Sequence, residues 1–183
     1  LTKTRESVSG TALTLEAGVI RSEEPAGCAD GTTILVRDLF YNTPARMKFM
    51  KSDTAEGAAV FAAVQKQALA HPEVSFRFVR DGAELLHTAG DGDEKGAIYQ
   101  VLGRQLVNEM VPVESSWEKI AVSGFVTKPT ATRGSRSFQY FFVNGRFIKS
   151  RTLSAALEEA YKNQMMTGRF PACVLHITLP VQA

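Results

Sequence analysis

The sequence predicts an α+β fold, and three observations carry that prediction. Apolar residues recur at helical spacing at Phe61, Val64, Ala68 and Leu69, and again at Leu153, Ala156, Leu157, Ala160 and Tyr161. That spacing puts each set on one face of a helix. Elsewhere the apolar residues alternate, as at Cys173, Leu175, Ile177 and Leu179, or run almost unbroken, as from Phe138 to Phe142. Those patterns are half-buried and fully buried strands. Finally, Asp81-Gly82 and Asn144-Gly145 each follow an apolar run. A type I′ hairpin turn needs φ > 0 at both central positions, which these pairs tolerate.

Taken in order, residues 1–20 read as one or two strands, with Thr11–Leu15 the clearest. Glu23–Gly31 is a turn-rich loop holding Pro25 and Gly27. Ile34–Phe40 is predicted as a strand and Thr43–Met50 as a short helix, with Thr43 as N-cap and Pro44 in the first turn. Proline suits that position because its missing N–H has no partner there anyway. Asp53 and Glu56 stand at capping-box spacing before the first amphipathic helix, and Pro72 stops it. Val74–Val79 and Glu84–His87 flank Asp81-Gly82 as a hairpin.

Ala89-Gly90-Asp91-Gly92-Asp93 has no periodic apolar residues and reads as a boundary. It divides the chain into domains 1–90 and 91–183. Beyond it, Ala97, Ile98, Val101 and Leu102 define a short helix ending at Gly103. Strands follow at about 107–114, 119–127 and 138–143, then the second amphipathic helix and the last strand.

The 183 residues are 44% hydrophobic and 22% charged, an ordinary globular composition. Net charge is only +2, but residues 128–169 hold eight basic and two acidic side chains, a local net of +6. Such polarity fits a nucleic-acid face, and equally a solvated surface. The two cysteines, Cys28 and Cys173, lack paired-site or zinc spacing and fit a reducing compartment. There is no P-loop and no Gly-x-Ser-x-Gly elbow, and His71, His87 and His176 lack metal spacing. His176 reads as a partly buried polar strand residue, and Trp117, at a hairpin turn, as a packing residue. The aromatic run 138–142 reads as core rather than as a base-stacking platform.

Arg146, Lys149 and Arg151 form the one basic cluster with a specific placement. Arg146 leaves the Asn144-Gly145 turn, while Lys149 and Arg151 enter a helix N-terminus. The helix dipole does not favour cations there. An anionic partner would account for them, and duplex DNA offers a regular line of phosphates. A solvated charged face is the alternative.

Two longer strings carry a resemblance. Gly31-Thr32-Thr33-Ile34-Leu35-Val36-Arg37-Asp38-Leu39-Phe40-Tyr41-Asn42-Thr43-Pro44-Ala45-Arg46 closely resembles a signature of the MutL family of DNA mismatch-repair ATPases. Phe142-Val143-Asn144-Gly145-Arg146, a helix, and Gly168-Arg169-Phe170-Pro171 before a strand repeat the family's "VNGR", helix and "G-R-x-P" order. The resemblance implies the C-terminal part of a GHKL-type ATPase sandwich over 1–90. It implies a ribosomal-protein-like transducer domain with a left-handed βαβ crossover over 91–183, although most crossovers are right-handed. Gly31 and Thr32 would correspond to a motif whose threonine lies near the adenine; on local sequence alone they are a turn before a strand. Arg151 matches a basic position that contributes to DNA binding in the family.

The same resemblance makes the chain part of a larger, ATP- and Mg2+-dependent homodimeric or heterodimeric matchmaker. It would couple mismatch recognition to nicking and unwinding, with mismatch-recognition, endonuclease and helicase partners. It would lie in the bacterial cytoplasm, or in the nucleus of a eukaryote, and not in a membrane. The family's water-activating, magnesium-binding, lid and phosphate-lysine motifs do not occur in these residues. The chain alone is therefore expected to bind no cofactor and to be inactive as an ATPase. It should bind duplex DNA weakly and without sequence preference. A type II topoisomerase transducer shares the fold logic but should not carry Asp38–Arg46. A ribosomal-type RNA-binding module would explain the basic stretch but not residues 1–88.

Overall fold

The computed structural model describes residues 1–180, which form two compact units dividing between Ser52 and Asp53. The first unit is a four-stranded antiparallel sheet built from β1 (Thr2–Lys3), β2 (Gly10–Glu16), β3 (Val19–Ala26) and β4 (Gly31–Thr32), in the order β3-β2-β1-β4. Ala17 and Gly18, at φ 51° and 85°, turn β2 into β3. The short helix α1 (Pro44–Met47) ends the unit's regular structure.

The predicted strand at Ile34–Phe40 is absent. Pairing with the first strand ends at Thr33, whose N–H donates to the Leu1 carbonyl at 2.8 Å. Asp38, at φ 48°, then turns the chain, and Tyr41 N–H bonds back to the Asp38 carbonyl. A strand needs a hydrogen-bonding neighbour, and none reaches 34–40 among the described residues; Ile34 is left 80% exposed. The helix expected over Thr43–Met50 is shortened to α1, and Thr43 makes no side-chain cap.

The second unit opens with α2 (Asp53–Ala70) and the hairpin β5 (Arg77–Arg80) and β6 (Ala83–His87). Asp81 and Gly82 both have positive φ at its turn. α3 (Glu94–Leu102) and α4 (Arg104–Val107) follow. Then come β7 (Met110–Trp117), β8 (Ile120–Thr127), a 3-10 turn at Arg136–Phe138, β9 (Gln139–Val143), β10 (Arg146–Ile148), α5 (Arg151–Ala160) and β11 (Cys173–Thr178). The sheet order is β10-β9-β11-β8-β7, with β11 parallel to β9 and every other pair antiparallel. α5 is therefore the crossover between parallel neighbours.

Both faces of this sheet are covered. On one, Phe142, Val174 and Met110 share a core with Ala68 and Leu69 of α2, Leu86 of β6, Ile98 of α3 and Leu106 of α4. On the other, Phe141, Cys173 and Leu175 pack against Leu153 and Leu157 of α5. β11 lies centrally and is buried on both faces, which explains why Val174 is as buried as the alternating set around it. Gly124 lets β8 approach it: a Cβ there would stand 2.2 Å from the Val174 carbonyl oxygen.

The composition break at 89–93 lies within the second unit, where Ala68, Leu69 and Leu86 share one core with residues from 98 to 174. Trp117 departs from expectation, standing 70% exposed at the β7–β8 hairpin end rather than packed. The aromatic run is core as expected, with Phe142 fully buried.

Candidate nucleic-acid interface

The basic turn-helix is assembled by local rules. Asn144 and Gly145, at φ 47° and 76°, reverse the chain between β9 and β10. Asparagine and glycine accept that left-handed backbone at low cost. Gly145 therefore delivers Arg146 to a sheet edge. Ser150 then caps α5, its hydroxyl oxygen accepting from Leu153 N–H at 3.2 Å. The cap fixes where Lys149 and Arg151 leave the backbone.

Arg146, Lys149 and Arg151 are all exposed, and among the described residues none forms an ion pair. Lys149 and Arg151 line one open cleft of about 950 Å³, while Arg146 stands outside its lining. Two cations that the motif reading left out join them. Lys66 comes from α2, its ammonium 4.7 Å from the centre of the Phe147 ring. Arg136 comes from the 3-10 turn. Arg136 had a signal, because it belongs to the basic stretch. Lys66 had none, because α2 lies eighty residues from α5 in sequence and only the fold joins them.

Glu158 is the acidic side chain in the cleft wall. Its oxygens accept from Arg136 Nε at 2.6 Å and Nη2 at 2.9 Å, and Gln139 Nε2 donates to it at 3.3 Å. The Arg136 guanidinium holds the Glu158 carboxyl below its ordinary range, and the carboxylate raises the arginine in turn. Arg136 also lies over the Phe170 ring at 4.2 Å. The cleft thus carries four cations against one carboxylate, an electrostatic setting for an anion.

Gly31 and Thr32 lie in the first unit, on β4, and both are exposed. Thr32 Oγ1 shares a hydrogen bond of 2.9 Å with Thr2 Oγ1. A hydroxyl donates once and accepts twice, so Thr32 retains hydrogen-bonding capacity beyond the Thr2 contact. Among the described residues no three His, Cys, Asp or Glu side chains are placed together to hold a metal. No helix among them is long and apolar enough to cross a membrane.

The fold defines the class. It matches the Aquifex aeolicus MutL ATPase domain complexed with ADP at a TM-score of 0.77 and 27% identity, over 98% of this chain and 65% of that one. A family model, the C-terminal domain of DNA mismatch repair protein, covers residues 98–183. The DNA mismatch repair protein MutL of Agathobacter rectalis is 43% identical over 97% of this chain, and that of Desulforudis audaxviator 44% over 97%. This chain belongs to the MutL family of DNA mismatch-repair proteins. It spans 28% and 32% of the length of those two relatives.

Proposed function

We propose that this chain serves DNA mismatch repair as part of an ATP-driven matchmaker, and that it supplies a sequence-independent surface for duplex DNA. Residues 1–90 act as the C-terminal portion of the GHKL ATPase domain, with Gly31 and Thr32 beside the nucleotide. Residues 91–183 act as the transducer, with the left-handed crossover that the family resemblance implies. ATP and Mg2+ serve the whole protein. Nucleotide binding there closes a dimer and passes the state on to mismatch-recognition, nicking and unwinding partners. The observation that carries the DNA reading is the cleft in which Lys149 and Arg151, without an ion pair among the described residues, face the same opening as Lys66. Support for the repair setting comes from the kinship with MutL proteins.

The test is a salt titration of duplex binding. Each phosphate neutralised contributes about 0.9 to the slope of log affinity against log salt. Arg151→Glu should lower that slope by about 0.9 and weaken all sequences alike, because phosphate contacts carry no base information. Lys128→Glu should do less, since Lys128 faces Glu109 at 3.9 Å. An unchanged slope for Arg151→Glu would leave the cluster as ordinary surface charge. Stronger competition by structured RNA than by duplex DNA would favour the ribosomal-type reading.

A further inference from the structure

We propose that Glu158 restrains this cleft: by occupying Arg136, it keeps one arginine out of the set that neutralises DNA phosphates. The proposal rests on the duplex-DNA reading of the cleft and concerns its regulation.

The geometry separates Arg136 from its neighbours. Lys149 and Arg151 have no carboxylate partner among the described residues, whereas Arg136 gives Nε and Nη2 to the two oxygens of Glu158. The pair is internally neutral. Counterions accumulate on unneutralised phosphates and leave when a net positive charge arrives, so a neutral pair releases none. Arg136 is nonetheless built for a phosphate. Its guanidinium is fixed on the Phe170 face at 4.2 Å, and a planar fork matches phosphate as well as it matches carboxylate. Less ordering is then left to lose on contact.

The carboxylate is held as deliberately as the arginine. Glu158 stands in the last turn of α5, where the helix dipole disfavours a negative charge. Gln139, buried at 7% exposure, steadies it: Nε2 donates to Glu158 Oε1 and to the Pro171 carbonyl, each at 3.3 Å. A carboxylate so placed withholds charge from the cleft.

The experiment measures binding of a labelled mixed-sequence duplex by the whole chain across a salt series. Glu158→Gln should bind more tightly and steepen the slope by about 0.9, so that a fourfold rise in salt weakens binding roughly 3.5-fold more than in the parent. Glu158→Asp, which keeps the charge, should retain the parent slope and serves as the folding control. Glu158→Gln combined with Arg136→Ala should return to the parent slope, because the gain runs through that guanidinium. If Glu158→Gln leaves the slope unchanged while Arg151→Glu still lowers it, the restraint is refuted and the DNA reading stands. If the double variant keeps the steeper slope, the effect is diffuse charge and the restraint is refuted too. If Arg151→Glu is also without effect, the DNA reading itself falls and takes the restraint with it.

Discussion

Phe142 shows what a single position does for this molecule. It is fully buried, sits edge-on to Phe147 at 5.9 Å, and stacks on the imidazole of His176 at 5.0 Å. Phe147 in turn carries Lys66 over its face. One ring therefore links the core to a cleft cation. Phe142→Ala should destabilise the second unit by about 3–5 kcal/mol, from lost transfer energy plus a cavity that cannot fully collapse. A shift in the urea midpoint at constant slope checks this, and a loss below 1 kcal/mol would mean that the site relaxes freely. Cys173, also fully buried, behaves differently from a reactive thiol: burial pushes it up to about 12. Single residues were legible in the sequence where local chemistry decides them. Asn144 and Gly145 were so, because few residue pairs tolerate consecutive positive φ. Trp117 was not, because its exposure depends on what covers a hairpin end.

At the level of elements, α5 and the 3-10 turn are tied by Arg136 and Glu158, and that tie predicts a pH dependence. The folded-state carboxyl of Glu158 lies below its ordinary value, chiefly through the hydrogen bonds from Arg136. A depressed carboxyl contributes stability that is present above its unfolded pKa and is lost as pH falls through its folded one. Stability of the parent should therefore fall more steeply than that of Glu158→Gln as pH drops below the ordinary carboxylate range, with the difference between them constant near neutrality. Parallel denaturant midpoints in acid would show that the pair contributes nothing there. The long elements were readable: α2 and α5 from their apolar stripes, β11 from its alternating apolar residues and β9 from an almost unbroken apolar run. Short ones were not. β10 has three residues and exists because β9 offers an edge, and α4 has four and lies where the strand reading began. Ile34–Phe40 failed for the opposite reason: the pattern is a strand's, but no neighbour pairs with it among the described residues.

On the scale of the whole chain, the cleft required the fold before it could be seen. The motif reading found Lys149 and Arg151 on one turn-helix, but Lys66 and the Arg136–Glu158 pair joined them only when α2, β9 and α5 were placed. The proposed nucleotide side contrasts with this. Thr32 is an exposed strand hydroxyl in the other unit, bonded to Thr2, with no carboxylate cluster for a metal among the described residues. ATP hydrolysis needs a water-activating group, charge neutralisation at the phosphates and a fixed geometry, assembled within reach of one another. A lone hydroxyl can help to read a base but supplies none of these. The 183-residue chain should therefore release no phosphate from ATP under conditions where its folded state and its DNA binding persist. Steady release that copurifies with the chain and vanishes in Thr32→Val would place the catalytic groups within these residues. That outcome would overturn the assignment of Thr32 to a supporting role.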